Sequence, residues 1–304
     1  MVMVQAPAKV NLFLRVLAQE RSGFHQLETL FCRLEFGDTV ELGRGIPGGI
    51  ALDVEGPEIG PPKENLAYRA AEAFLRAAGI REGVKIRLQK RLPMGAGLGG
   101  GSSDAGATLL GLATLFRGAV GEEQLLEIAG DLGSDVPFFL STSPLALAWG
   151  RGDRIQTLKP LPRAPVLLAL PPVEIPTHWA YACLAEEREG GERKHRPRLF
   201  SMNSLSSWGA VAEAAENDFE SVIYRKHPSL EGIQRALQGN GALISLMSGS
   251  GSALFGVFPS EELAEAARDA LERRFPDTRF VLTHTETRVG DLQNTEGVEP
   301  KVGH

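Results

Sequence analysis

Five glycines fall between Gly95 and Gly101, in the run Pro93-Met94-Gly95-Ala96-Gly97-Leu98-Gly99-Gly100-Gly101-Ser102-Ser103. A strand-like stretch, Val84 to Leu88, precedes the run, and an Ala/Leu-rich helical stretch to about Phe116 follows it. Glycine lets the backbone come close to a ligand and take positive φ. A helix start adds unpaired N–H groups and a partial positive charge. Together they make an anion site suited to a nucleotide polyphosphate. Gly95, Gly97 and Gly100 satisfy G-x-G-x-x-G, but a dinucleotide fold places that pattern after its first strand, and here it lies far from the N-terminus. No lysine directly follows a glycine, so there is no Walker A loop. The His-Arg-Asp and Asp-Phe-Gly triplets of protein kinases are missing, and no register fits G-x-S-x-G.

Two charged residues could act on a hydroxyl next to such a phosphate site. Asp135, in Gly133-Ser134-Asp135-Val136-Pro137, offers a carboxylate that can accept or orient a hydroxyl proton. The same tetrad from Ser134 also reads as a helix N-cap. Lys9 offers an ammonium that would keep a carboxylate ionised and stabilise developing charge, or it is an ordinary surface lysine. Ser248-Gly249-Ser250-Gly251-Ser252 joins two strand-like runs and carries more glycine than a plain hairpin needs. Asn65, ahead of the first long helix, suits either an adenine contact or an N-cap.

The elements that must position these groups are legible from periodicity. Val10–Val16, Val40–Leu42 and Val84–Leu88 read as strands, and Glu64–Ala78 as a helix stopped by Gly79. Glu122 opens a further helix. A proline-punctuated stretch around the strand Val166–Leu170 marks a boundary near residue 160. Beyond it come helices, strands at Ala242–Met247 and Ala253–Phe258, a helix over Glu261–Arg274 and a strand at Arg279–His284. That order predicts an α+β domain with helices on one antiparallel sheet.

The 304 residues carry 43% hydrophobic and 23% charged side chains and a net charge of −6, as in globular proteins and unlike nucleic-acid binders. A cluster at Arg193, Lys194, His195, Arg196 and Arg198 reads as a solvated loop. Two distant cysteines, Cys32 and Cys183, make neither a disulfide framework nor a zinc pattern. No signal peptide or membrane-spanning run is evident, so a cytoplasmic protein with no membrane partner is expected.

Three separated segments resemble, in order, the motifs of the GHMP kinases: Pro7-Ala8-Lys9-Val10-Asn11-Leu12-Phe13-Leu14, the glycine run through Ala105, and Leu246-Met247-Ser248-Gly249-Ser250-Gly251-Ser252-Ala253. Gly23-Phe24-His25-Gln26-Leu27-Glu28-Thr29, Gly133 to Phe139 and Ile175-Pro176-Thr177-His178-Trp179-Ala180-Tyr181 are similar to the diphosphocytidyl branch of that family. The resemblance implies an α+β, two-domain fold: a mixed α/β N-terminal domain over residues 1–160 and a ferredoxin-like C-terminal domain over 161–289, with a cleft between them and a polar, flexible tail over 290–304. It implies ATP and Mg²⁺ as cofactors and a small-molecule acceptor, a cytidine diphosphate-linked polyol phosphorylated on a hydroxyl. Lys9 and Asp135 would be the catalytic pair. Pro93, Met94, Gly95, Ala96, Gly97, Leu98, Gly99, Gly100, Gly101, Ser102 and Ser103 would hold the nucleotide. Asn11, Phe24, His25, Thr177, Tyr181, Ser248, Gly249, Ser250 and Gly251 would hold the acceptor. By the same analogy His25 would bond the cytosine edge while Phe24 and Tyr181 cover its two faces. Many GHMP kinases have Ser-Ser directly after Gly-Leu-Gly; here Gly100 and Gly101 intervene, which leaves the metal ligands open. A kinase for another acceptor, such as homoserine, and a catalytically silent nucleotide binder are the rival readings.

Overall fold

Apolar residues alternate along the first strand, β1 (Val2–Gln19): Val2, Val4, Ala6, Ala8, Val10 and Leu12 are all buried. It pairs antiparallel with β2 (His25–Ile46) over nearly its whole length. β3 (Ile50–Glu55) runs parallel to β4 (Gly83–Gln89), the crossover being α1 (Leu66–Ala77). The computed structural model describes residues 1–19, 25–46, 48–57, 60–189, 205–289 and 293–294.

On its other edge β2 serves two further partners. Its second half pairs with β4 and its first half with β5 (Leu145–Gly150), which in turn pairs with β6 (Arg154–Thr157). Three helices, α1, α2 (Gly100–Leu115) and α3 (Glu122–Leu132), pack Phe74, Leu109, Leu112 and Ile128 against Val40, Leu42 and Ile86 of the sheet. Gly111 allows α2 to lie this close, because a Cβ there would stand 2.2 Å from Leu42 Cδ1. The short helix α4 (Val136–Leu140) follows α3 after one turn.

The second sheet holds β7 (Pro165–Leu170), β8 (Ile244–Met247), β9 (Leu254–Val257) and β10 (Arg279–His284), in the spatial order β10-β7-β9-β8 and antiparallel throughout. The helices α5 (Thr177–Glu189), α6 (Trp208–Ala214), α7 (Glu220–Lys226) and α8 (Pro228–Gly239) come between β7 and β8, and α9 (Glu261–Arg274) between β9 and β10. This is the ferredoxin-like arrangement. Every residue of β7 is buried because the sheet is covered on both faces. Leu167 and Ala169 face Ile223, Leu237 and Leu271 of the helices. Val166 and Leu168 face Val10, Leu12 and Leu34 of the first domain. One apolar layer therefore fixes the two domains against each other.

The boundary expected near residue 160 falls in the connection between β6 and β7. The helix expected over Glu64–Ala78 is divided: Pro62–Glu64 form a 3₁₀ turn, and α1 starts at Leu66 because Asn65 caps it through Ala67 N at 2.8 Å. In the tail expected to be flexible, Gln293–Asn294 form a short strand, β11, paired with Val2 and Met3 of β1. Phe24, the 193–198 basic cluster and the remainder of the tail lie outside the described residues. Among the described residues no helix is long and apolar enough to cross a membrane.

Candidate active site

β1 carries Lys9 and Asn11 two residues apart, so both side chains point to the same face. The β1–β2 register shifts between Pro7 and Lys9 and again between Asn11 and Phe13, on either side of this pair. Such irregularities re-aim side chains beside functional sites. Lys9 is 4% exposed. Its Nζ donates to Asn11 Oδ1 at 2.8 Å, stands 3.5 Å from Asp135 Oδ2 and lies 5.1 Å from the Phe31 ring centroid. Lysine only donates, so it fixes which end of the Asn11 amide faces it. Asn11 Nδ2 is left to donate to Thr29 Oγ1 at 2.8 Å, and that hydroxyl donates to the Phe13 carbonyl at 2.6 Å. The network holds the ammonium in one place.

Asp135 occupies the N-cap position of α4, yet its side chain makes no capping bond. The carboxylate lies beside Lys9 instead. The Asp135 side chain keeps 32% of its surface exposed, against 5% for Lys9. A cavity of about 160 Å³ opens at the pair. β1 and β2 supply Asn11, Thr29 and Phe31 to its walls; the second domain supplies Thr177, Tyr181, Gly249 and Ser250. Gly97 and Gly99 close it on the phosphate-loop side.

The loop itself lines a neighbouring cavity of about 370 Å³, from Pro93 and Met94 through Ser102, with Asn65 at its rim. Gly95, Gly97 and Gly99 all take left-handed φ, at 65°, 80° and 71°. Lys9 N donates to the Leu98 carbonyl at 2.9 Å, which ties the loop to β1. Gly97 touches the third motif: a Cβ there would stand 2.0 Å from the Ser248 carbonyl oxygen, and Ser248 Oγ donates to the Gly97 carbonyl at 2.9 Å. Below the loop, Lys90 at the end of β4 is held between Asp38 and Asp104, at 2.8 Å from Asp104 Oδ2. Burial is the main force lifting the Asp104 carboxyl, with Lys90 opposing it, and the result is about 7.

Three expected contacts sit behind the cavities rather than in them. Ser103 is fully buried and turned away from the phosphate cavity, since one helical residue beyond Ser102 rotates the side chain by about 100°. Ser248 is likewise buried, spent on Gly97, and Gly251 packs on Met247 and Ile175. His25 stacks on Tyr181 itself, rings 4.4 Å apart and 21° from parallel, so it holds one of the faces expected for a base. Burial, followed by Arg188, lowers the His25 pKa and favours the neutral ring. Tyr181 also meets Phe219 edge-on at 4.9 Å, and burial together with Asp135 pushes its hydroxyl up to about 12.

Sequence reasoning missed Thr29, Lys90 and Asn217. Thr29 ends the Gly23–Thr29 segment; Lys90 is a cation just ahead of the glycine run; Asn217 precedes a helix and reads as a cap. No single-residue signal distinguishes them from neighbours of the same type.

The sequence model for the GHMP kinases N terminal domain matches residues 65–143, and that for the GHMP kinases C terminal region matches 201–277. A 4-diphosphocytidyl-2-C-methyl-D-erythritol kinase of Pelotomaculum thermopropionicum is 37% identical over 282 residues, covering 92% of this chain and 96% of that protein. One of Salinibacter ruber is 39% identical over 281 residues, covering 88% and 94%. A crystal structure of 4-(cytidine 5'-diphospho)-2C-methyl-D-erythritol kinase superposes with a TM-score of 0.76 at 36% identity over 93% of this chain and 98% of that one. The homoserine kinase of Cytophaga hutchinsonii shares the fold, with a TM-score of 0.72 at 18% identity over 96% of each chain. Motif order, the two-domain cleft and relatives of this closeness agree: the chain belongs to the GHMP kinase family and, within it, to the 4-diphosphocytidyl-2-C-methyl-D-erythritol kinases.

Proposed function

We propose that the protein transfers the γ-phosphoryl group of ATP to a hydroxyl on the methylerythritol part of 4-diphosphocytidyl-2-C-methyl-D-erythritol, in the cytoplasm and on the non-mevalonate route to isoprenoids. The observation that carries the reading is the Lys9–Asp135 pair, 3.5 Å apart where the cavity between the domains meets the phosphate loop. Phosphoryl transfer asks chiefly for positioning and charge neutralisation. The half-exposed Asp135 carboxylate orients the acceptor hydroxyl and takes its proton as the oxygen attacks the γ-phosphorus and ADP leaves. Lys9, locked by Asn11 and Thr29, stands 3.5 Å from the Asp135 carboxylate and faces the charge that builds on the transferring oxygens. The left-handed glycines and the start of α2 receive the phosphates.

The residues at the loop fit Mg²⁺. Ser102 lines the phosphate cavity, and Asp104 Oδ1 beside it is buried with no hydrogen-bond partner among the described residues. Mg²⁺ takes most of its ligands from waters and substrate phosphates, so these two oxygens are enough protein donors. When bound it neutralises phosphate charge.

Thr177, Tyr181, Gly249 and Ser250 form the acceptor wall. For a cytosine to lie on Tyr181, His25 turns off that ring and presents its edge to the base. The testing experiment is ADP release from MgATP with 4-diphosphocytidyl-2-C-methyl-D-erythritol, set beside homoserine and mevalonate. Release with the cytidyl substrate alone is expected. Release with homoserine instead would remove the cytosine subsite and keep the catalytic pair; release with none, from folded protein, would overturn the reading.

A further inference from the structure

Asn217, in the segment between α6 and α7, uses its whole amide. Nδ2 donates to the Met247 and Gly249 carbonyls, both at 2.8 Å, and Oδ1 accepts from Phe219 N at 3.0 Å. The side chain is enclosed, with the residue 6% exposed. Its two acceptors flank Ser248, so one amide pins the entry of the turn on either side of the residue that contacts Gly97. The backbone on either side of Asn217 is bonded to β1, through Leu14 N to Glu216 O at 2.8 Å and Asp218 N to Leu14 O at 3.0 Å. The loop is thus referenced to the strand that carries Lys9 and Asn11.

The loop needs such a hold. Gly249 and Gly251 take left-handed φ, at 57° and 93°, and glycine backbone is the freest in the chain. Gly249 and Ser250 form part of the catalytic cavity, and Ser250 Oγ lies 3.1 Å from Thr177 Oγ1 on the acceptor wall. The phosphate cavity has no wall from this loop.

We propose that Asn217 is a positioning residue of the reaction, holding the Ser248–Gly251 loop at the acceptor wall without touching substrate. The inference rests on the reading of that cavity as the acceptor site. It separates the two substrates: loss of the amide donor loosens the acceptor wall and spares the nucleotide.

The test is Asn217→Asp in the full chain, with Asn217→Ser as the second variant should the first not fold. Aspartate keeps the acceptor for Phe219 N and removes both N–H bonds. Hydrogen exchange without substrates is expected to show the 248–253 amides deprotected and the β7 and β9 amides unchanged. With the cytidyl acceptor, kcat/KM is expected to fall by about 100-fold, as for a site group displaced by about 1 Å. The affinity for ADP alone is expected to stay within about twofold. Unchanged loop protection would overturn the proposal whether or not that acceptor is the substrate. So would ADP affinity and acceptor kcat/KM falling together, which marks general destabilisation. Failure of the wild-type enzyme to use the acceptor would fault the functional reading, and the exchange experiment would still decide whether Asn217 holds the loop.

Discussion

Gly97→Ala probes the contact on which the site's geometry depends. The added Cβ would stand 2.0 Å from the Ser248 oxygen and 2.9 Å from its carbonyl carbon, both backbone atoms that cannot rotate aside. Restoring ordinary contact requires a retreat of about 1 Å or more by one of the two loops. Alanine at φ 80° also carries about 1–2 kcal/mol of left-handed strain. The second effect can be isolated. Gly79 ends α1 at φ 66° with no atom within 4 Å of its would-be Cβ, so Gly79→Ala has the strain and no collision. Both variants should therefore lose about 1–2 kcal/mol from strain in urea unfolding, and Gly97→Ala about 1–3 kcal/mol more from the collision. Only Gly97→Ala should lose activity, by about 100-fold in kcat/KM from displacement of the Gly249–Ser250 wall. Steady-state ADP release measures the second quantity. A Gly97→Ala enzyme within threefold of wild type, yet destabilised no more than Gly79→Ala, would show that the two loops are not held in contact and would refute the argument.

Three further outcomes follow from the same geometry. Asp135→Asn keeps the volume and removes the proton acceptor, so kcat should fall by about 10²–10⁴-fold with ADP affinity near normal; turnover close to wild type would remove Asp135 from the chemistry. Thr29→Val leaves Asn11 Nδ2 buried without its acceptor, which should lower stability by about 1–3 kcal/mol and loosen the Lys9 anchor, seen as a lower kcat at unchanged acceptor KM. Glu220 is lifted by burial from 4.5 to about 7, so the folded protein binds the extra proton and this contribution is lost as pH rises through about 7. Glu220→Gln should match wild type near pH 4 and exceed it at pH 8 by up to roughly 3 kcal/mol in urea unfolding; the opposite ordering would contradict the assignment.

How much could be read from sequence depended on how local the cause was. Helix α9 was legible to both ends, since Ser260 caps it, Glu261 and Glu262 fill its first turn and Arg273 and Arg274 its last. β2 was legible only in part. Only Val40–Leu42 reads as strand, whereas β2 also passes through Gly37-Asp38: Gly37 gives room to the Ala6 carbonyl, 2.3 Å from its would-be Cβ, and Asp38 is buried to accept from Arg91 N and Leu92 N. β5 and β6 gave no clean alternation: β5 is buried at Leu145, Ala146 and Ala148, where it pairs with β2, and β6, paired with β5, is largely exposed. At the candidate site, Lys9 and Asp135 are expected from motifs, and the structure brings them within 3.5 Å of each other. The Asn11–Thr29 bond and the Asn217 clamp join distant positions, and no spacing rule encodes them.

The charge beneath the glycine loop favours the proposed role of backbone, rather than a lysine, in holding the phosphates. Lys90 lies next to Gly100, its Nζ 3.4 Å from that residue's would-be Cβ. Its charge is already committed, however, because Asp38 and Asp104 both hold it. Burial lowers an ammonium's pKa, yet here the two carboxylates prevail and raise it, so Lys90 stays charged. With both carboxylates ionised the trio would carry a net −1 under an incoming triphosphate. Burial is the main force raising the Asp104 carboxyl, which works against its ionised form and so against that repulsion. What remains to attract phosphate is the unpaired N–H groups of the loop and the start of α2, which glycine leaves uncovered. On the proposed reading, Lys9, buried on the far side and 3.5 Å from Asp135, is the ammonium that responds when charge shifts toward the acceptor.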